Sequence, residues 1–154
     1  MQKITPCLWF DDKIEEAVNF YVSVFKNSKI KQVTRYGKGA HQPEGNVLTI
    51  TFQLEGQDFM ALNGGPAFHF TEAISLMVNC KDQQELDEMW DALSDGGEKV
   101  ECGWLKDKYG LSWQIVPAIL GDLMSDPAKW DKVMAEVMTM QKLDIAKLQE
   151  AYNS

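Results

Sequence analysis

The stretch Lys106-Asp-Lys-Tyr-Gly-Leu-Ser-Trp-Gln-Ile-Val-Pro117 decides how the chain is read. Gly110 marks a tight turn. After it, Leu111, Trp113 and Ile115 alternate with Ser112, Gln114 and Val116 until Pro117 ends the run, which predicts a strand with two unlike faces. Its central polar residue is an amide, Gln114. The phrase has an echo: Gly56-x-x-Phe59-Met60-Ala61-Leu62 lines up with Gly110-x-x-Trp113-Gln114-Ile115-Val116 at a shift of 54. A second pair lies upstream, where Glu16-Ala17-x-x-Phe20-Tyr21 lines up with Glu85-Leu86-x-x-Met89-Trp90 at a shift of 69. Each match is weak alone, but both occur in the same order, which predicts an internal duplication.

Working outward, Ile4 to Phe10 reads as a strand and Asp11-Asp12 as the cap of a helix through Ile14, Ala17, Val18, Tyr21 and Phe25, ending at Asn27-Ser28. Lys31 to Tyr36, Asn46 to Leu54 and Phe59 to Leu62 read as three antiparallel strands, with the loop Gly37 to Gly45 and the turn Glu55-Gly56-Gln57 between them. Gly64-Gly65-Pro66 closes this half. The pattern then restarts with a strand from Ala73 to Cys80 and a helix from Lys81-Asp82 that carries Leu86, Met89, Trp90 and Leu93. Gly96-Gly97 ends that helix, and three short strands follow up to Pro117. The expected class is α+β: two βαβββ modules, about 1–66 and 69–118, plus a C-terminal helical tail over about 121–154, all in one domain. In the tail, Asp126-Pro127 starts a helix with the stripe Trp130, Val133, Met134, Val137 and Met138, and Asp144 caps a second helix.

Composition bounds the function. The chain has 154 residues, 45% of them hydrophobic, enough for one domain with a real core. A net charge of −8 and a pI of about 4.7 argue against nucleic acid and anionic membranes as partners. The N-terminus shows no apolar leader and no run is long enough to span a membrane, so a cytoplasmic protein is expected. Cys7, Cys80 and Cys102 are odd in number and widely spaced, which fits reduced small hydrophobes better than a disulfide frame.

A duplicated strand-helix-three-strand unit resembles the vicinal-oxygen-chelate superfamily, which includes glyoxalase I, extradiol dioxygenases and the bleomycin and fosfomycin resistance proteins. Three motifs look like its PhnB-like branch, often labelled 3-demethylubiquinone-9 3-methyltransferase. They are Phe10-Asp11-x-x-Ile14-Glu15-Glu16-Ala17-x-x-Phe20-Tyr21, then Glu55-Gly56-Gln57-x-Phe59-Met60-Ala61-Leu62-Asn63-Gly64-Gly65-Pro66. The third and longest is Gly103-Trp104-Leu105-Lys106-Asp107-x-Tyr109-Gly110-x-Ser112-Trp113-Gln114-Ile115-Val116-Pro117. The resemblance extends to the Asp126-Pro127 tail. It implies an open curved mixed sheet with a concave cavity, and a homodimer.

Superfamily enzymes hold a divalent metal with one ligand from the first strand and one from the last strand of each module, usually His and Glu. Carried onto this sequence, those places read Pro6, Met60, Ala73 and Gln114, or Glu72 in place of Ala73 if the register slips by one. No charged or imidazole ligand remains among the four, so no metal and no cofactor is expected. Gln114 then becomes a neutral hydrogen-bonding group, or one that bonds only to protein groups or water.

Strand parity assigns Pro6, Leu8, Phe10, Met60, Leu62, Ala73, Ser75, Met77, Ser112, Gln114 and Val116 to the cavity face. The expected contacts to a small, partly apolar organic molecule are Leu8, Phe10, Met60, Leu62, Asn63, Ser75, Met77, Trp104, Lys106 and Gln114, with no catalytic residue identified. Two other readings stay open. One is a metal-dependent lyase or oxygenase using His41, His69, Glu44 or Glu72. The other is the labelled methyltransferase, although Gly64-Gly65-Pro66 leads into another strand rather than a helix. Enzyme and binding protein are not separated by these residues.

Overall fold

The computed structural model describes residues 2–154, and the chain divides into two compact units at His69/Phe70. In unit 1 the order is β1 (Cys7–Phe10), α1 (Ile14–Val24), β2 (Lys29–Arg35), β3 (Val47–Leu54) and β4 (Gln57–Asn63). Unit 2 runs β5 (Ser75–Cys80), α2 (Gln83–Ser94), β6 (Glu98–Lys99), β7 (Trp104–Lys106) and β8 (Ser112–Pro117), followed by α3 (Leu120–Leu123), α4 (Pro127–Val137) and α5 (Ile145–Asn153). Each unit is βαβββ and holds its own open four-stranded mixed sheet, ordered β1-β4-β3-β2 and β5-β8-β7-β6. The first and last strands of each unit pair in parallel and the rest antiparallel.

The two helices bury matching positions. Ala17 and Tyr21 of α1 correspond to Leu86 and Trp90 of α2 at the shift of 69, and all four are buried. Equally, Phe59 and Ala61 of β4 match Trp113 and Ile115 of β8, while Met60 and Gln114 between them are half-buried. One face of each sheet therefore packs under a helix, and the other is left open.

The helix starts differ from one another. Asp82 caps α2 as expected, its side chain accepting from the Glu85 amide at 2.9 Å. Asp11-Asp12 does not cap α1. Lys13 occupies the cap position without a side-chain bond, and Asp12 turns into the left-handed region at φ 71, donating its amide to Asn63 Oδ1 at 3.1 Å. The connection from β1 to α1 is thus one residue longer than that from β5 to α2.

The tail packs on unit 2. Asp126 and Asp144 cap α4 and α5, accepting from Ala128 N and Lys147 N. Val133, Val137, Leu143 and Leu148 are buried, whereas Trp130 and Met138 of the expected stripe are exposed. Gln83 of α2 clamps the tail with both ends of its amide. Nε2 donates to Leu143 O at 3.1 Å and to Asp87 Oδ1 at 2.9 Å, and Oε1 accepts from Ile145 N at 2.8 Å. All three cysteines are free, with Cys80 buried and Cys7 exposed. Among the described residues no helix is long and apolar enough to cross a membrane.

Candidate functional site

In unit 2, β8 lies between β5 and β7, so its side chains have neighbours on both sides. Leu111, Trp113 and Ile115 face α2 and are buried. On the opposite face the register makes a grid of six residues. Met77, Gln114 and Trp104 form one row, and Ser75, Ser112 and Lys106 form the next. Five of the expected contacts, Ser75, Met77, Trp104, Lys106 and Gln114, therefore share one face.

Their chemistry is mixed. Gln114 Nε2 donates to Ser75 Oγ at 2.9 Å, while the amide's second hydrogen and its Oε1 find no protein partner among the described residues. Met77 is 55% exposed, unusual for a thioether in mid-strand. Ser112, only 1% exposed, carries a hydroxyl with no hydrogen-bond partner among the described residues. Parity placed Ser112 on this face, but nothing in the sequence showed that its hydroxyl is unspent. Lys106 is ion-paired with Glu72, which holds the Glu72 carboxyl below its ordinary range and the Lys106 ammonium above its own. Both are largely solvated, so salt screens the pair.

A buried carboxylate positions this grid from behind. Asp107, 3% exposed, accepts the amides of Tyr109 at 2.8 Å and Leu111 at 3.1 Å through Oδ1, and the Trp113 indole at 2.9 Å through Oδ2. Asp107 thereby fixes the turn around Gly110 and the orientation of β8. Its partners are structural.

Unit 1 corrects two expectations. Cys7 pairs with Met60 and Trp9 with Leu62, so Met60 and Leu62 share the open face with Cys7 and Trp9. Leu8 and Phe10 lie on the other face, beside Ala61 and Asn63. Both are buried, and the Phe10 ring lies 6.5 Å from that of Tyr21 on α1. They are core residues. The cause is the extra residue at Asp12: Phe10 corresponds to Cys80 at a shift of 70 while the helices correspond at 69, and a one-residue slip inverts a strand. The first-strand place moves with it, from Pro6 to the neighbouring parity of Thr5, Cys7 and Trp9.

Asn63 is the second correction. It is 2% exposed and saturated: Nδ2 donates to Val47 O at 3.0 Å and Oδ1 accepts from Asp12 N, with longer reciprocal bonds to the Gln42 amide at 3.3 and 3.4 Å. Tyr36 Oη donates to its carbonyl. Asn63 latches the loop 37–46 and the β1–α1 turn. In the same unit Trp9 donates from Nε1 to Gly65 O at 2.9 Å and meets Phe68 edge-on at 4.9 Å. Gly64 is required there, because a Cβ would overlap the Trp9 ring.

Unit 2 also contains a groove of about 540 Å³ between α2 and the tail, lined by residues including Gln83, Asp87, Lys142 and Ile145. Gln83, Asp87 and Lys142 there are committed to holding the tail, with Lys142 on Asp87 at 3.0 Å. The sheet face is the better candidate because Gln114, at its centre, keeps an N–H and its carbonyl unspent.

Residues 2–116 match the family described as 3-demethylubiquinone-9 3-methyltransferase. The chain belongs to that family. A PhnB protein from Bacillus cereus, carrying the same methyltransferase label, is 40% identical with a TM-score of 0.70, over 76% of this chain and 100% of its own. The protein PA1353 from Pseudomonas aeruginosa is 18% identical with a TM-score of 0.62, over 75% of this chain and 96% of its own. A looser match, the fosfomycin resistance protein FosX from Listeria monocytogenes complexed with Mn(II) and sulfate, is 14% identical with a TM-score of 0.48, over 73% and 88%. No curated protein matches the chain. The two βαβββ modules expected from the sequence are present in this PhnB-like chain, but the family match stops at residue 116. The tail, counted within the resemblance by the sequence, lies outside it.

The metal that the superfamily implies does not suit the residues of this PhnB-like chain. Cys7 and Met60 lie across from one another in unit 1, and Met77 and Gln114 in unit 2, with Ser75 beside Gln114. Neither pair completes a site for a hard or borderline divalent ion: Cys7 stands with only a thioether in unit 1, and unit 2 offers a thioether, an amide and a hydroxyl. Among the described residues no group of three or more His, Cys, Asp or Glu could hold one. His41 instead packs edge-on against Tyr36 at 5.3 Å, His69 is exposed, and Glu72 is held by Lys106. Both strand-to-helix turns, Asp11-Asp12-Lys13 and Lys81-Asp82, lack the glycines of a nucleotide-binding turn.

Proposed function

We propose that this PhnB-like protein binds a small, partly apolar organic molecule on the open face of the unit 2 sheet, without a metal. The observation that carries the reading is Gln114, half-buried and bonded once to Ser75, with an exposed thioether on one side and an indole on the other. A structural amide in mid-strand spends most of its hydrogen-bonding capacity on the protein; this one keeps an N–H and its whole carbonyl. In unit 1, Met60 and Leu62 with Cys7 and Trp9 make a more apolar open face of the same kind. Free cysteines suit a reducing, cytoplasmic setting, and exposed Trp130 and Met138 suit pairing of two chains.

A fragment screen followed by 15N NMR tests the reading. Binders are expected to shift the Gln114 side-chain amide, assigned by its loss in Gln114→Leu, and the Trp104 indole N–H. Binders that map instead to the groove beside Gln83 and Lys142, with those two signals unmoved, would refute it.

A further inference from the structure

Resting on that ligand-binding reading, we infer that the ligand is planar and uncharged, with a donor and an acceptor side by side on one edge, as in a carboxamide or lactam. The hydrogen bonds left over on the grid define that edge. Ser75 Oγ accepts from Gln114 and so keeps its own hydrogen to donate. Gln114 keeps one N–H and its Oε1 carbonyl. One step along the ladder, the buried Ser112 hydroxyl is unpartnered among the described residues and lies between Ser75 and Lys106 in register. That hydroxyl is sealed from the surface, so the edge offered to a ligand is set by Ser75 and Gln114.

Charge on the same face argues for neutrality. Lys106 is the one cation among the six grid residues, and it is already paired with Glu72. An anionic ligand would have to displace Glu72 and sit beside its charge. A cationic ligand at Gln114 has no carboxylate beside it among the described residues: Glu98 lies beyond Lys106 at the outer end of the next row, against that cation, and the Asp107 oxygens are committed to Tyr109, Leu111 and Trp113. Planarity follows from the flanks: the Trp104 indole and the Met77 thioether stand on either side of Gln114, and both favour an aromatic face.

Benzamide, benzoate and benzamidine share one shape and carry no charge, a negative charge and a positive charge. Titrated into the full 15N-labelled chain, benzamide is expected to bind about tenfold more tightly than either charged isostere, the scale of one or two neutral hydrogen bonds. It should shift the Gln114 amide and the Trp104 indole, and the preference should vanish in Gln114→Leu while the rest of the spectrum stays in place. Tighter binding of benzoate or of benzamidine would overturn the inference and leave the ligand-binding reading standing. If none of the three moves either signal up to its solubility, the inference also fails. The fragment screen then separates the two claims, since hits of other classes at Gln114 preserve the ligand-binding reading.

Discussion

Two amides, one in each unit, show how the same duplicated fold spends a polar side chain. Asn63 ends β4 on the helix side and is consumed by its own chain, bonding Val47 O, Asp12 N and Gln42. Gln114 sits mid-strand in β8 on the open face and spends one bond, to Ser75. Both are amides in half-apolar strands, and the sequence reading gave both to the ligand. Their hydrogen bonds separate them: a saturated amide holds the fold, and one that has spent a single N–H is available to something else.

Urea unfolding puts the contrast on a scale. Trp113→Ala should cost most, about 3–5 kcal/mol, because it empties a core aromatic site and leaves Asp107 without its indole partner. Asn63→Ala should cost about 1–3 kcal/mol, since it strands the buried Val47 carbonyl and the Asp12 amide. Gln114→Ala should stay within about 0.5 kcal/mol of the parent, as a part-exposed side chain with one local bond. Equal losses for Asn63 and Gln114 would erase the distinction between them.

The cysteines give the smallest contrast. Burial, aided by the carboxylates of Glu85 and Asp82, pushes the Cys80 thiol up from 9.0 to about 12. The folded state therefore holds that proton more tightly than the unfolded chain. The resulting stability is full below pH 9 and is lost as pH rises from 9 towards 12. Iodoacetamide at mildly alkaline pH should leave Cys80 unmodified in the folded protein and label it in urea, as read by intact mass. Labelling of folded Cys80 would contradict its burial.

Much of the fold was legible because duplication repeats a signal. The helix stripes at Ala17/Tyr21 and Leu86/Trp90, and the alternation around Phe59 and Trp113, are local and strong, and the structure buries these residues. The open face of unit 2 was legible for the same reason, since Gln114, Ser75 and Met77 follow from strand parity. The face of β1 was not legible. Its parity was carried across a strand-to-helix turn, and the left-handed Asp12 adds a residue there that periodicity does not register. Asn63 was misjudged because its partners are distant in sequence, at Val47, Gln42 and Tyr36. The unspent Ser112 hydroxyl depends on what covers it, which only tertiary structure shows.

The most direct test is metal content and metal affinity together. Untagged, freshly purified protein would be measured by elemental mass spectrometry, and the parent and Gln114→Glu would be titrated with Mn²⁺ and Zn²⁺. The two sheet faces predict no bound metal in the purified protein and no tight site in Gln114→Glu, because Met77 and Ser75 beside it in unit 2 do not complete one. Metal near one equivalent per chain, or tight binding created by that single carboxylate, would contradict the metal-free face and restore a metal centre to this branch of the fold.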